Sequence, residues 1–216
     1  MTTGAPQRRN TKAIFLCLVA TAALTAIDLW SKDWAQSELS RERPAPAHAV
    51  CEPDSNGYYS MQRLRSGAVV LIDGYLEFRY AENCGAAFGM LNESPKWLRV
   101  VVFMSAGAIA VGALLFMFVS GTGGSLFAWS VPLIVSGAVG NLVDRVRLGY
   151  VVDFIRFHLQ EGWEWPTFNF ADSTITVGVA LLLLDGLLNR EPSAKSSTSP
   201  AAASNPPAPA GDAGAR

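Results

Sequence analysis

The stretch "LFAWSVPLIVSGAVGNLVDR", Leu126 to Arg145, decides how the rest of the chain is read. From Leu126 to Val143 it carries no charge. At the helical rise per residue, that length approaches the ~30 Å of a bilayer's hydrocarbon core. Pro132 and several glycines soften its ends. Toward the C-terminal side polarity rises on one face only, because Gly137, Asn141, Asp144 and Arg145 fall at i, i+4, i+7 and i+8. Such a stripe is not a lipid contact. The forked donors of Arg145 suit a carboxylate or a peptide carbonyl, and an internal ion pair with Asp144 is the alternative.

Three similar runs accompany it: Ala13 to Trp30, Trp97 to Val119 and Ala171 to Leu188, so that the four runs have 18 to 23 residues each. The fold expected is therefore a membrane all-α class with four transmembrane helices and a small β element. An even number of spans puts both termini on one side. Half of the 216 residues are hydrophobic and only 16% are charged, and mean hydropathy is +0.23, too apolar for an ordinary soluble domain. A net charge of -1 leaves no electrostatic footprint for nucleic acid. Cys17, Cys51 and Cys84 have no CxxC or Cys/His spacing, and His48 and His158 are the two imidazoles, so no metal site and no cofactor are expected.

The first run has a rival reading as a cleavable signal peptide, since Arg8, Arg9 and Lys12 precede it and "ATAALTA" offers small residues for cleavage. Cys17 follows "IFL" without a small residue before it, unlike a lipoprotein cysteine. The positive charges lean toward cytoplasmic termini without settling the matter. Arg8, Arg9, Lys12, Arg190 and Lys195 stand on one side, and Arg145, Arg147 and Arg156 lie in or beside the 144–170 connection. Residues 191–216, rich in Ser, Pro and Ala, are expected to be disordered. Residues 41–66 read as an extramembrane insertion with turn formers at Pro44, Pro46, Pro53 and Asn56-Gly57. The following "GAVVLIDGYLEFRYAEN", broken at Asp73-Gly74, predicts a hairpin or small sheet.

Polar constellations mark four places. Asp28 and Lys32 stand four apart, acid first, on one face at the end of the first run, as an ion pair at headgroup level or as part of a site. "NCGAAFG", Asn83 to Gly89, joins an amide donor and acceptor to small residues that permit close backbone approach, or is an ordinary turn. The third is the stripe at the end of the Leu126 run. The fourth spans "VVDFIRFHLQEGWEWPTFNFADSTI", with Asp153 and Asp172 at its two edges and Asn169 before the second. Asp172 has a capping role as its alternative, and Asp153 has none. Two carboxylates brought together at a membrane edge do not both ionise cheaply, so one keeps a proton while the other acts as base.

In order along residues 13–188, "DLWSK", "NCGAAFG", "GNLVDR", "VVDF" and "FNFADS" resemble the prolipoprotein signal peptidase (signal peptidase II) family, aspartic peptidases of the bacterial cytoplasmic membrane. The resemblance implies four spans with cytoplasmic termini, a small extracytoplasmic sheet, and a catalytic pair, Asp153 and Asp172, near the outer surface. It implies diacylglyceryl prolipoprotein substrates, cut just before the lipid-modified cysteine by a water that the two Asp activate. Asn83, Gly137, Asn141, Arg145 and Asn169 match positions that place the substrate or the pair, and Asp28, Lys32 and Asp144 look like supporting residues. The organisation expected is a cytoplasmic tail (1–12), a membrane peptidase domain (13–190) with its insertion and sheet at about 31–96, and a tail (191–216). Membrane lipids are the expected surroundings, and a monomer the expected state. A proton-coupled transporter, the rival class, is expected to carry ionisable residues near the bilayer centre instead of at one edge.

Two departures from the family pattern stand out: the extra length from about Arg41 to Ser66, and the tail. If the implied topology holds, Cys51 in the insertion and Cys84 beside Asn83 both face an oxidising compartment, and a bridge between them is one reading. It would close a loop of 34 residues and stabilise by about 3 to 4 kcal/mol on the chain-entropy estimate. The other reading leaves Cys51 free and Cys84 as a small residue packed by the site.

Overall fold

The computed structural model describes residues 8–44, 50–52, 60–85, 96–160 and 162–189. The tail 191–216, the turn formers at Pro46, Pro53 and Asn56-Gly57, and residues 86–89 of the Asn83 motif lie outside the described residues.

The first element, α1 (Thr11–Glu38), starts at Asn10, whose side chain accepts from the backbone N–H of Ala13 at 2.8 Å. It continues past the apolar run ending at Trp30, which keeps Asp28 and Lys32 on one regular helix. After it come β1 (Ser40–Glu42), β2 (Arg63–Arg65), β3 (Val69–Ile72) and β4 (Leu76–Asn83). β1 and β2 pair antiparallel as a two-stranded sheet. The hairpin β3–β4 turns where the Asp73-Gly74 signal places it, with Gly74 at a φ of 75° that a side chain would resist. Next come α2 (Lys96–Val119), α3 (Ser125–Arg147), β5 (Val151–Leu159), β6 (Trp163–Glu164) and α4 (Phe170–Leu188).

Of the hairpin or small sheet expected from sequence, the sheet is the one realised. β5 and β6 extend the β3–β4 hairpin into a four-stranded sheet in the order β3-β4-β5-β6. Thus "VVDF" lies on a strand. Its first four residues are all buried, so the strand shows no in-out alternation by which a sequence reading would find it. What stabilises it is long-range: Ala81 pairs with Asp153 and Asn83 with Val151 across the β4–β5 ladder.

Among the described residues three helices, α1, α3 and α4, are long and apolar enough to cross a membrane, and α2 holds the shorter apolar stretch Met104–Val119. α3 is the central helix, packed on α4, α1 and α2. The burial pattern is inverted relative to a water-soluble protein. Phe15, Leu18, Ile109, Phe116, Leu183 and Leu187 are exposed, while Asp28, Lys32, Ser130, Ser136, Asp144 and Asp185 are buried. Helices that turn apolar faces outward and polar groups inward match lipid surroundings. At one end of the bundle Asp185 Oδ2 accepts from Gly124 N–H at 3.0 Å, which gives the α3 N-terminus a partner from α4. At the other end α1 and α3 meet the sheet, where Ala35 and Leu39 pack with Tyr80, Tyr150, Val152 and Phe154 in a core. Trp34, Phe78 and Phe154 meet edge to face there, at centroid distances of 5.6 to 6.2 Å.

Candidate active site

Asp153 and Asp172 are 19 positions apart in sequence and are brought together by two local devices. The first is a return of the chain onto β5: Ile155 pairs with Phe168, and Phe168 O accepts from the N–H groups of both Phe154 and Ile155. This sets Asn169 beside Asp153, and Asn169 Nδ2 donates to Asp153 Oδ1 at 2.7 Å. The second is the start of α4. Asn169 is its N-cap and accepts from Asp172 N–H at 3.0 Å, while Asp172 Oδ2 accepts from Asn169 N–H at 3.3 Å. The "NFAD" sequence is thus a reciprocal capping box. The capping role and the site role of Asp172 coexist, because its other oxygen, Oδ1, accepts from Asn141 Nδ2 at 2.8 Å.

The two carboxylates are joined through amides. Asn141 Oδ1 accepts from Asn169 Nδ2 at 3.2 Å and from Lys32 Nζ at 2.8 Å, which leaves Asn141 Nδ2 to face Asp172. On the far side Asn83 Nδ2 donates to Asp153 Oδ2 at 3.0 Å. Asp153 is 2% exposed, and burial, followed by the nearby charge of Asp172, pushes its pKa up to about 7. The donations from Asn83 and Asn169 and the charge of Lys32 act the other way. Asp172 is only partly buried.

Below the pair lies a buried ion triad. Lys32 Nζ is 2.8 Å from Asp28 Oδ2 and 3.4 Å from Asp144 Oδ2. Each carboxylate of the triad also holds a backbone N–H next to one member of the pair. Asp28 Oδ1 accepts from Ala171 at 2.8 Å, and Asp144 Oδ2 from Val152 at 3.0 Å. Asp144 therefore pairs with Lys32, and the alternative Asp144–Arg145 ion pair is not formed. Arg145 instead donates to Asn141 O at 3.0 Å and to Gly85 O at 3.5 Å, and its charge acts on both Asp172 and Asp153.

Gly137 works by absence: a Cβ there would overlap the backbone oxygen of Ala171 and the side chains of Thr174 and Ile175, so it lets α3 close on the first turns of α4. Gly140, which the sequence reading passed over as a site residue, does the same for Asp28. Its signal was available in the small-residue spacing of "GAVG", where Gly137 and Gly140 stand at i and i+3. Asn83, Gly137, Asn141, Arg145 and Asn169 thus lie with Asp153 and Asp172 in one cluster, with Asp28, Lys32 and Asp144 as its immediate support. Among the described residues no group of three or more His, Cys, Asp or Glu is placed to hold a metal ion.

Cys51 and Cys84 are bridged, with Cα atoms 5.3 Å apart. The bridged reading of the two cysteines is thus the one realised, and Cys17 is free and buried.

Residues 20–188 match the family model described as Signal peptidase (SPase) II. The chain is 32% identical over 191 residues to the lipoprotein signal peptidase of Xanthomonas campestris pv. campestris (strain 8004), spanning 88% of this chain and 98% of that relative. It is 43% identical over 119 residues to the lipoprotein signal peptidase of Pseudomonas fluorescens, spanning 54% and 69%. A solved bacterial membrane enzyme shares the fold, with a TM-score of 0.60 at 23% identity over 87% of this chain and 100% of that one.

Proposed function

The chain belongs to the signal peptidase II family of membrane proteases, and from that premise we propose that it is a four-span aspartic endopeptidase that cleaves diacylglyceryl prolipoproteins before the lipid-modified cysteine. The fourth span in this reading is α2 (Lys96–Val119), about 36 Å long at the helical rise per residue. The termini are cytoplasmic, the bilayer is the bacterial inner membrane, and the sheet and carboxylate pair lie at its outer surface, where an exported substrate arrives. The domain limits are those read from sequence: a tail to residue 12, the peptidase domain over 13–190, and a tail from 191. One chain carries the whole site.

Catalysis in this reading is general acid/base hydrolysis without a covalent intermediate. Asp153, buried and pushed toward neutral pH, holds the proton shared by the pair. Asp172, better hydrated at the mouth of α4, takes a proton from water as the water attacks the scissile carbonyl. Asp153 then gives its proton to the departing amine. Arg145 and the Asn83 amide supply donors for the substrate backbone and for charge developing on the carbonyl oxygen. Gly137, Asn141 and Asn169 set the pair, and Asp28, Lys32 and Asp144 support them from below.

The observation that carries the proposal is the linkage of the two carboxylates through Asn169 and Asn141. Purified protein incubated with a diacylated prolipoprotein is expected to give the smaller, signal-free product. Asp153→Asn and Asp172→Asn are each expected to lose at least about a hundredfold in rate while still inserting in the membrane, since positioned acid/base work contributes about 10² to 10⁴. Either variant keeping more than about a hundredth of the wild-type rate overturns the pair as catalytic groups.

A further inference from the structure

Asn83 is held from both sides by the segment read from the sequence as an insertion, residues 41–66. On one side is Glu82, whose carboxylate accepts from the backbone N–H groups of Gln62 at 2.6 Å and Arg63 at 2.9 Å. On the other is Cys84, bonded to Cys51. Cys51 is itself immobilised: it is buried in the cluster of Ala35, Leu39, Tyr80, Tyr150, Val152 and Phe154. Its φ of 59° is one that few non-glycine residues adopt unless tertiary contacts dictate it. The insertion is anchored again by β1–β2 pairing and by Arg65 Nε donating to Tyr80 O at 2.7 Å.

What this fixes is a side chain at the centre of the site. Asn83 Oδ1 accepts from Gly85 N–H at 3.1 Å, which turns Nδ2 toward Asp153 Oδ2 at 3.0 Å. Cys84 is the middle residue of that small turn. Gly85 in turn offers its carbonyl to Arg145 at 3.5 Å. A crosslink at Cys84 therefore restrains together the Asn83 amide aimed at Asp153 and the Gly85 carbonyl that meets Arg145.

We propose that the Cys51–Cys84 bridge is a positioning element of the active site, which uses the insertion as a fixed brace to hold the Asn83 amide on Asp153. The proposal rests on the peptidase reading above for its effect on turnover, and on geometry alone for its effect on Asp153. Without the bridge the Asn83–Gly85 turn loosens and the amide leaves the carboxyl for part of the time. A donor to a carboxylate favours the ionised form, so its loss raises the pH at which Asp153 deprotonates. The charged groups facing Asp153, namely Asp172 on α4, Lys32 on α1 and Arg145 on α3, are untouched by the change.

The test compares wild-type enzyme, Cys51→Ser, Cys84→Ser and the double variant, each in detergent, with folded wild type reduced and alkylated in place as a preparation that needs no refolding. On a diacylated prolipoprotein, kcat/KM is expected to fall by up to about tenfold, from the loss of one buried hydrogen bond part of the time. The alkaline limb of the pH profile is expected to move to higher pH, a shift that a general loss of stability does not produce. The double variant is expected to lose no more than either single, because one bond is being removed. Infrared titration of the carboxyl band, assigned with Asp153→Asn, reads the same shift without any substrate. An unmoved carboxyl titration, additive losses, or two free thiols in unreduced wild type overturns the proposal. Wild type that fails to cleave overturns the peptidase reading alone, and the infrared result still decides the bridge.

Discussion

Replacing Lys32 by Met tests whether the buried triad supports the Asp153–Asp172 pair. Lys32 is 1% exposed and lies 2.8 Å from Asp28, 3.4 Å from Asp144 and 2.8 Å from Asn141 Oδ1. Methionine has similar length and no charge, so the substitution removes the cation while nearly filling its space. Two buried carboxylates are left facing one another, and stranding a buried charge costs about 3 to 5 kcal/mol. For a chain of this size that corresponds to a fall in melting temperature on the order of 10 °C. The same change strips Asn141 Oδ1 of its charged donor and leaves it only Asn169 Nδ2 at 3.2 Å. The Asn141 amide is then free to rotate its oxygen toward Asp172, which repels the carboxylate it is meant to hold.

The companion variant carries Asp28→Asn and Asp144→Asn together with Lys32→Met. Both asparagines keep an oxygen for the N–H groups of Ala171 and Val152, and no charge remains stranded. Neutralised buried triads of this kind are often as stable as the charged original. Most of the lost melting temperature is therefore expected to return, while cleavage stays reduced by about 10 to 100-fold because Asn141 still lacks its partner. Tryptophan fluorescence melts in detergent and prolipoprotein cleavage read the two effects separately. Lys32→Met melting within a degree or two of wild type, with wild-type cleavage, refutes the reasoning. Full recovery of cleavage in the triple variant limits the triad to a stability role.

Two further outcomes are expected. The raised pKa of Asp153 means that the folded state holds its proton more tightly than the unfolded chain. Its contribution to stability is therefore complete below pH ~4, is lost as pH rises to about 7, and is flat above. Thermal melts from pH 4 to 8 should show this decline in wild type and a shallower one in Asp153→Asn, and parallel profiles remove Asp153 as its source. Reporter fusions after residue 190 and within Gly121 to Ser125 should report cytoplasm, and one within 45–60 should report the exported side. A cytoplasmic signal from the last places the carboxylate pair on the wrong face for exported substrates.

What the sequence disclosed, and what it concealed, divide along the range of the interactions involved. Helical features were readable because they depend on neighbours within two turns: the Asp28/Lys32 pair and the Gly137-Asn141-Asp144-Arg145 stripe emerge from spacing alone, and Asp172 was placed at the start of α4, although the cap itself is Asn169. The hairpin was readable because a turn signal sits between two apolar strands. β5 was not, since its buried end has no alternation and its partner lies about 70 positions away in β4. For the same reason Asp144 could be placed on the right face while the one cation offered to it, as an alternative, is not the one it meets. Arg145 is its neighbour in sequence, whereas Lys32 comes from another helix. The two cysteines left both readings open because nothing short of the folded insertion places Cys51 beside β4.

The dual use of Asp172 shows why site and fold are hard to separate at this position. As the third residue of α4 it closes the capping box with Oδ2, and as a member of the pair it meets Asn141 with Oδ1. A helix start fixes a side chain more tightly than a loop does, because the Asn169 N–H holds the Asp172 carboxylate while the Asn169 side chain takes the Asp172 N–H. Asparagine at 172 retains an oxygen that can still accept from Asn169 N–H, while its amide cannot take a proton from water. Asp172→Asn thus separates the two roles within one residue. Loss of cleavage with an intact α4 assigns the effect to chemistry. Loss accompanied by fraying at Phe170 to Ser173, read as faster amide exchange there, assigns it to the cap.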